Sequence, residues 1–264
     1  MKIYVCVKQV PDTSGKVAVN PDGTLNRASM QTIINPDDMN AVEAALKIKD
    51  ATGCKVTVVT MGPAPAAGML REALAMGADE AYLVSAREFG GSDTYATSQI
   101  LAAAINKIGV EKDDIVMCGR QAIDGDTAQV GPELAEHLGY PQVTYGLEAE
   151  LDGETLKVKK EAEEGTQIIG VALPAVVTYT KPAWDPRYPT IKRKMAANRA
   201  DIPTLTAADL DGIDLEHAGL KGSPTKVKKT FVPQKKQGGM KIREEDNAAS
   251  ALKLFQVLSD AAVL

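Results

Sequence analysis

The chain has 264 residues, 44% of them apolar but only 4% aromatic, and a formal net charge of −5. That length allows one large α/β domain, or one domain with an arm. The acidic balance, with no aromatics interleaved among the basic clusters, argues against a nucleic-acid partner, and the lack of any run of about 18 apolar residues argues against a membrane span.

Met1 leads straight into an apolar strand over 2–8, with no signal-peptide pattern. Asn20-Pro-Asp-Gly23 reads as a hairpin turn. A helix is expected over 36–52, with Asn35 as N-cap and Pro36 in its first position; Met39, Val42 and Leu46 recur along its core-facing side. Strands follow at 55–61, 80–84, 114–118 and 142–146, alternating with helices at 64–76, 93–108 and 127–138. Each helix is followed by a glycine (Gly53, Gly77, Gly109, Gly139), a consistent stop pattern. Leu151-Asp-Gly153 reads as a second hairpin turn, and strands at 167–173 and 175–180 flank Pro174. The alternation predicts an α/β fold: a doubly wound, mostly parallel, Rossmann-like sheet with added hairpins and a core of Ala, Val, Ile and Leu.

Cys6, Cys54 and Cys118 are odd in number and lie in or beside predicted strands, as reduced, buried thiols of a cytoplasmic protein would. The two histidines, His137 and His217, are far apart, with no partner at metal-ligand spacing. His137 falls in the last turn of a helix, where an imidazole can meet free carbonyls. No nucleophile stands beside a base, so no catalytic side chain is assigned.

After residue 181 the character changes. Lys181-Pro-Ala-Trp-Asp-Pro-Arg-Tyr-Pro189 holds three prolines and cannot be regular. Residues 1–186 carry 16 basic and 26 acidic side chains, whereas 187–243 carry 13 and 5. An acidic body with a basic, Pro/Gly-broken extension suggests an arm lying on another protein. Residues 247–262 read as an amphipathic helix in need of a surface, with Phe231 a further apolar anchor.

The most informative run is Cys118 to Pro132, a glycine-containing polar loop between a strand and a helix. Such a loop presents free N–H groups and the positive end of a helix to an anion, and carboxyl ends of strands are where open α/β sheets keep ligands. A nucleotide phosphate is the expected ligand, met mainly by backbone amides with Thr127 and Gln129. Asp124 suits ribose hydroxyls and Asp126 a helix N-cap. Arg120 and Gln121 are left to hold the loop or reach a second phosphate.

Val5-Cys-Val-Lys8, Asn35-Pro36, Gly62-Pro-Ala64, Ala73-Leu-Ala-Met-Gly-Ala-Asp79, Gly119-Arg-Gln-Ala-Ile-Asp124 and Leu173-Pro-Ala-Val-Val177 together resemble the small (β) subunit of the electron-transfer flavoproteins, over nearly the whole chain. The resemblance implies cofactor binding by Cys6, Asn35, Pro36, Asp37, Asp38, Met61, Gly119, Arg120, Gln121, Ala122, Ile123, Asp124, Gly125, Asp126, Thr127, Ala128, Gln129 and Val130. It implies docking of partner dehydrogenases through Ile191 and Met195 as apolar anchors, with Lys192, Arg193 and Lys194 around them. The implied division is a nucleotide-binding domain over 1–183, a recognition loop and linker over 184–221, and an arm from 222 to 264 packing on a larger α subunit.

Two nucleotides are open within that family, a structural AMP or an FAD. At Pro36-Asp-Asp38, Ile123-Asp-Gly-Asp-Thr127 and Gln129-Val-Gly-Pro132 the chain is similar to the anaerobic, flavin-bifurcating branch, whose β subunit carries a second FAD. Gly125 leaves room there for a pyrophosphate. That branch implies NADH as donor, ferredoxin or flavodoxin as one acceptor and, through the α-subunit flavin, an acyl-CoA dehydrogenase as the other. A stress-protein-like nucleotide-binding module shares the core but would need neither the basic arm nor the terminal helix.

Overall fold

The computed structural model describes residues 1–12, 31–228 and 238–263. Its chain divides into two units, Met1–Lys228 and Lys229–Leu264. In chain order the elements of the first unit that matter here are β1 (Lys2–Cys6), β2 (Gln9–Pro11), β3 (Thr32–Ile34), α1 (Pro36–Thr52), β4 (Lys55–Met61), α2 (Ala67–Met76) and β5 (Glu80–Val84). There follow α3 (Thr94–Ile108), β6 (Ile115–Gly119), α4 (Val130–Leu138), β7 (Gln142–Asp152), β8 (Thr155–Ala162), β9 (Gly165–Ala172), β10 (Ala175–Tyr179), α5 (Ile191–Ala197), β11 (Thr204–Leu205) and α6 (Gly219–Gly222).

Nine strands form one sheet in the order β11-β5-β4-β1-β6-β10-β7-β8-β9. It is parallel from β11 to β7 and ends in an antiparallel meander of β7, β8 and β9. Side chains alternate faces along a strand, and that sorts the core in two. Ile3, Val5, Val56, Val58, Ile115 and Met117 meet α1 and α2 residues such as Val42, Leu46 and Leu70. Tyr4, Cys6, Val59, Val116 and Cys118 meet Ile100, Leu101, Ile105 and Leu134 of α3 and α4. Helices on both faces make this a doubly wound α/β fold.

The sequence pattern missed β8, whose Leu156 and Val158 are buried while Lys157 and Lys159 point outward. Its alternation is short and lysine-rich, and only pairing with β7 and β9 makes it a strand. The turn before it is the expected one, with Gly153 in the left-handed region at φ 62°. The expected turn at Asn20-Pro-Asp-Gly23 lies outside the described residues, as does Phe231; β2 and β3 pair antiparallel on either side of the former. Helix α4 starts at Val130 and not at 127, because Asp126 and Ala128 have positive φ, 51° and 53°. The three cysteines are free and buried.

The second unit contains α7 (Asn247–Asp260), capped by Asp246, whose side chain accepts from the Ala249 amide at 2.7 Å. None of its residues is buried; Leu252 is 70% and Phe255 60% exposed. Among the described residues no helix is long and apolar enough to cross a membrane.

Candidate functional site: a crevice between β1 and β6

Strands β1 and β6 lie side by side with Cys6 opposite Cys118. From their carboxyl ends the chain departs to opposite faces, to α1 from one and to α4 from the other. A gap at such a switch point is where doubly wound folds receive ligands. Here it is a crevice of about 290 Å³. Cys6, Val7 and Lys8 form one lip, Met61 the end of the floor, and residues 118–122 and 125–131 the other lip; Ser92, Asp93, Thr94, Thr97 and Leu101 close the side.

Two close approaches set the geometry. A Cβ on Gly119 would strike the Asp38 carboxylate and the backbone between Asp37 and Asp38, and one on Gly131 would strike the Thr178 methyl. Only glycine lets α1 press against the end of β6 and lets α4 sit low over β10. The start of α4 therefore reaches the rim with its amides bare. Gln129 gives it no side-chain cap, and among the described residues the N–H groups of Thr127, Ala128 and Gln129 meet no acceptor. With Ala128 left-handed and Gln129 right-handed (φ −103°, ψ −34°), successive N–H groups turn toward one concavity, a nest suited to an anion. The strain of the two left-handed side-chain-bearing residues is held by the surrounding bonds.

Those bonds come from residues expected to touch the ligand, of which Arg120, Gln121 and Asp126 line the crevice. Asn35 does not cap α1 with its side chain; its Nδ2 donates to the Gln121 carbonyl at 2.7 Å, and its Oδ1 accepts from the Ile123 amide at 3.1 Å. Gln121 Nε2 donates to Asp126 Oδ1 at 2.9 Å, so Asp126 braces the loop and does not cap α4. Asp124 is engaged by Lys8, whose Nζ donates to Oδ1 at 2.7 Å. Arg120 Nε lies 3.4 Å from Asp37 Oδ2; neither atom makes a hydrogen bond, and the pair is held by charge. His137 packs edge-on against Tyr95 with ring centroids 5.2 Å apart.

The sequence reading did not single out Lys8 or the Ser92-Asp93-Thr94 step. The available signal was their position just past strands that end at the crevice. Asp93 caps α3 by accepting from the Ala96 amide at 3.0 Å. The same carboxylate accepts from both the amide and the hydroxyl of Thr225, each at 2.8 Å, while Ser223 Oγ accepts from the Asp93 amide at 2.9 Å. Residues 223–225, expected to belong to the arm, thus brace the crevice wall.

Asp38 is the buried hub: Oδ1 accepts from the Gly119 amide at 3.0 Å and Oδ2 from the Lys8 amide at 2.7 Å. Burial nevertheless pushes its carboxyl up to about 7, the two amides opposing only in part. Between the ordinary carboxylate range near about 4 and that value the folded chain holds a proton that the unfolded chain has lost. Its contribution is therefore full below about pH 4 and falls as pH rises through about 7. Urea unfolding of wild type and Asp38→Asn at pH 5 and pH 8 should show the larger loss on going to pH 8 in the wild type; equal losses would place the proton elsewhere.

On the outer side of α1, the proline-rich segment is bolted down. The Arg187 guanidinium donates to both oxygens of the buried Glu43 at 2.8 and 3.0 Å and to Asp50 at 2.7 Å, and Lys47 Nζ sits 3.7 Å over the Trp184 ring. Helix α5 then packs on α2, where Arg193 Nη1 donates to the Met76 carbonyl at 2.8 Å. Arg193, expected as a rim charge, is exposed and is also tied to α2 by that bond. Tyr188, Ile191 and Met195 are left outward, 94%, 82% and 56% exposed, with Lys192 and Lys194 exposed beside them.

Fold and crevice define a doubly wound α/β protein with an anion-receiving switch point. Residues 22–210 match the electron transfer flavoprotein domain. The acryloyl-CoA reductase electron transfer subunit gamma of Anaerotignum propionicum is 57% identical over 250 residues, 93% of this chain and 94% of that one. The electron transfer flavoprotein subunit beta of Megasphaera elsdenii is 48% identical over 258 residues, 96% and 95% of the two chains. The caffeyl-CoA reductase-Etf complex subunit CarD of Acetobacterium woodii is 49% identical over 244 residues, 92% of each. The chain belongs to the electron transfer flavoprotein family, among its β-type subunits.

Proposed function

We propose that this chain is the β subunit of a flavin-bifurcating electron transfer flavoprotein. In this reading it pairs with an α subunit, holds FAD in the crevice and takes electrons from NADH. One acceptor is ferredoxin or flavodoxin; the other, through the α-subunit flavin, is an acyl-CoA dehydrogenase. The observation that carries the reading is the acceptor-free run of amides at the start of α4, beside the open position at Gly125. Relatives named for acryloyl-CoA and caffeyl-CoA reduction support the choice of partner. The free, buried cysteines accord with a reducing cytoplasm.

When bound, the flavin supplies the redox chemistry. This chain's residues bind and orient it: the amides of 127–131 meet the pyrophosphate, Cys6 and Met61 floor the adenosine, and Asn35 and Asp38 hold the loop in place. The Tyr188, Ile191 and Met195 ridge is the docking face for the dehydrogenase, a small apolar centre with a charged rim. The test is the flavin content of the purified αβ complex together with its transfer rates. A second flavin beyond that of the α subunit is expected, and Ile191→Ala should slow transfer to the dehydrogenase without altering flavin content. A complex that carries AMP and no second flavin overturns the bifurcating reading, and unchanged transfer in the variant removes the ridge from it.

A further inference from the structure

The crevice has three fixed sides and one that is fastened from outside. Strands β1 and β6 are central in the sheet, and the 119–126 loop is braced by Asn35, Asp38 and Gln121. The remaining side is the Ser92–Asp93 step. A second cavity of about 280 Å³ opens behind it, past the carboxyl ends of β4 and β5, where Gly62, Pro63, Val84, Arg87 and Phe89 line it. The two cavities share Met61 and Ser92, so Ser92 stands in the partition with space on either side. Gly90 and Gly91 precede it, and Gly91 is left-handed at φ 82°; such positions absorb the backbone rotation of a hinge.

The segment 219–225 crosses that loop as a strap. Ser92 Oγ accepts from the Gly219 amide at 2.9 Å, and the Gly90 carbonyl accepts from the Leu220 amide at 3.0 Å. Ser223 Oγ accepts from the Asp93 amide at 2.9 Å, and Thr225 gives both its amide and its hydroxyl to Asp93 Oδ2 at 2.8 Å. A Cβ on Gly91 would crowd Leu220, and one on Gly219 would strike the Glu88 carbonyl, so the strap lies hard on the loop. The other bonds of Ser92 and Asp93 among the described residues are to near neighbours such as Phe89, Ala96 and Thr97. We propose that the Ser92–Asp93 step is a gate, latched by Ser223 and Thr225, through which the crevice exchanges its nucleotide. When the latch lets go, the step swings toward the second cavity and opens the side of the crevice. The assignment rests on the crevice being the nucleotide site. On that reading the latch bonds are the same in the empty and the filled crevice, so weakening them raises the open fraction of both. Entry and exit then quicken together and the affinity stays, because nothing favours one state of the gate over the other on binding.

The test is stopped-flow association and release of FAD on the full-length αβ complex freed of its crevice nucleotide, in wild type, Thr225→Val, Thr225→Ser and Ser223→Ala. Thr225→Val deletes one of the two bonds from Thr225 to the Asp93 carboxylate and keeps the amide. Both rate constants should rise about tenfold, the weight of one hydrogen bond to a charged group, with the dissociation constant held within about twofold. Thr225→Ser keeps the hydroxyl and should restore both rates, and Ser223→Ala should raise entry and exit by equal factors. Faster release with unchanged entry would make the strap a wall that adds affinity, and overturn the gate with the crevice reading intact. Unchanged rates in Thr225→Val and Ser223→Ala overturn it as well. A complex that takes up AMP and no FAD overturns the flavin reading alone, and the same two rates measured with AMP then decide the gate. A complex that binds neither overturns the crevice reading and the gate with it.

Discussion

A complex carrying Gly125→Glu is expected to fold, pair with its α partner and leave purification without the flavin assigned here to the β subunit. Among the described residues nothing lies within 4 Å of a Cβ built at Gly125, and the residue is exposed, so the new side chain starts into open space. Its carboxylate would stand at the rim beside the bare amides of 127–131, where it can occupy the nest as a competing anion. At about 6 Å and an effective dielectric of about 20, one like-charge pair costs about 3 kcal/mol. Screening at an open rim trims this toward about 1–2 kcal/mol, a loss of roughly tenfold in affinity before competition for the amides is counted. Gly125→Gln keeps the bulk without the charge and should retain most of the flavin. Flavin absorbance per heterodimer reads both variants. Full occupancy in Gly125→Glu would mean that the pyrophosphate lies elsewhere.

The second large effect concerns the arm. A chain ending at Lys228 should keep its crevice and lose tight pairing with the α subunit. Leu252, Leu254 and Phe255 on α7 are all exposed, and burying such side chains contributes about 1.5–3 kcal/mol each before ordering costs. A loss of at least about a hundredfold in heterodimer affinity is therefore expected in sedimentation experiments. The cut belongs after 228 and not after 221, where the expected division into domain, linker and arm would put it. Cutting at 221 would remove Ser223 and Thr225 and leave Asp93 without its partners, damaging the crevice wall as well. If the chain ending at Lys228 pairs as tightly as the full one, the arm does not join the subunits.

The sheet was legible because parallel strands announce themselves. Buried on both faces, they run as unbroken apolar segments, and the helices between them end at glycines with positive φ, such as Gly53 and Gly139. The meander was half legible: the turn at Gly153 could be read, but β8 depends on neighbours that no local pattern names. A crevice does lie where the switch-point rule points, between β1 and β6. What the sequence could not assign was the division of labour within it. Asn35, Asp124 and Asp126 are residue types that suit capping or ribose binding, and only the fold shows their partners: Gln121 and Ile123 for Asn35, Lys8 for Asp124 and Gln121 for Asp126. Lys8 was visible in the Val5-Cys-Val-Lys8 motif without a task, because its partner is 116 positions away.

Helix α1 is also a ruler. Its first turn, at Asp38, holds the loops of the crevice, and its second, at Glu43, holds Arg187 and through it the segment leading to the exposed ridge. Five residues of helix separate the two anchor points, about 7.5 Å of rise, and a helix of this length packed along its face does not stretch. On the reading proposed above, a molecule that settles on the ridge would meet the crevice across a gap set by this helix and by the hydrogen bonds at its two anchors. Electron tunnelling falls off steeply with distance, so a surface loop free to wander would smear its rate over a wide range. On that same reading the bidentate bolt at Arg187 would narrow that spread, and replacing Glu43 would widen it without touching any group that carries an electron.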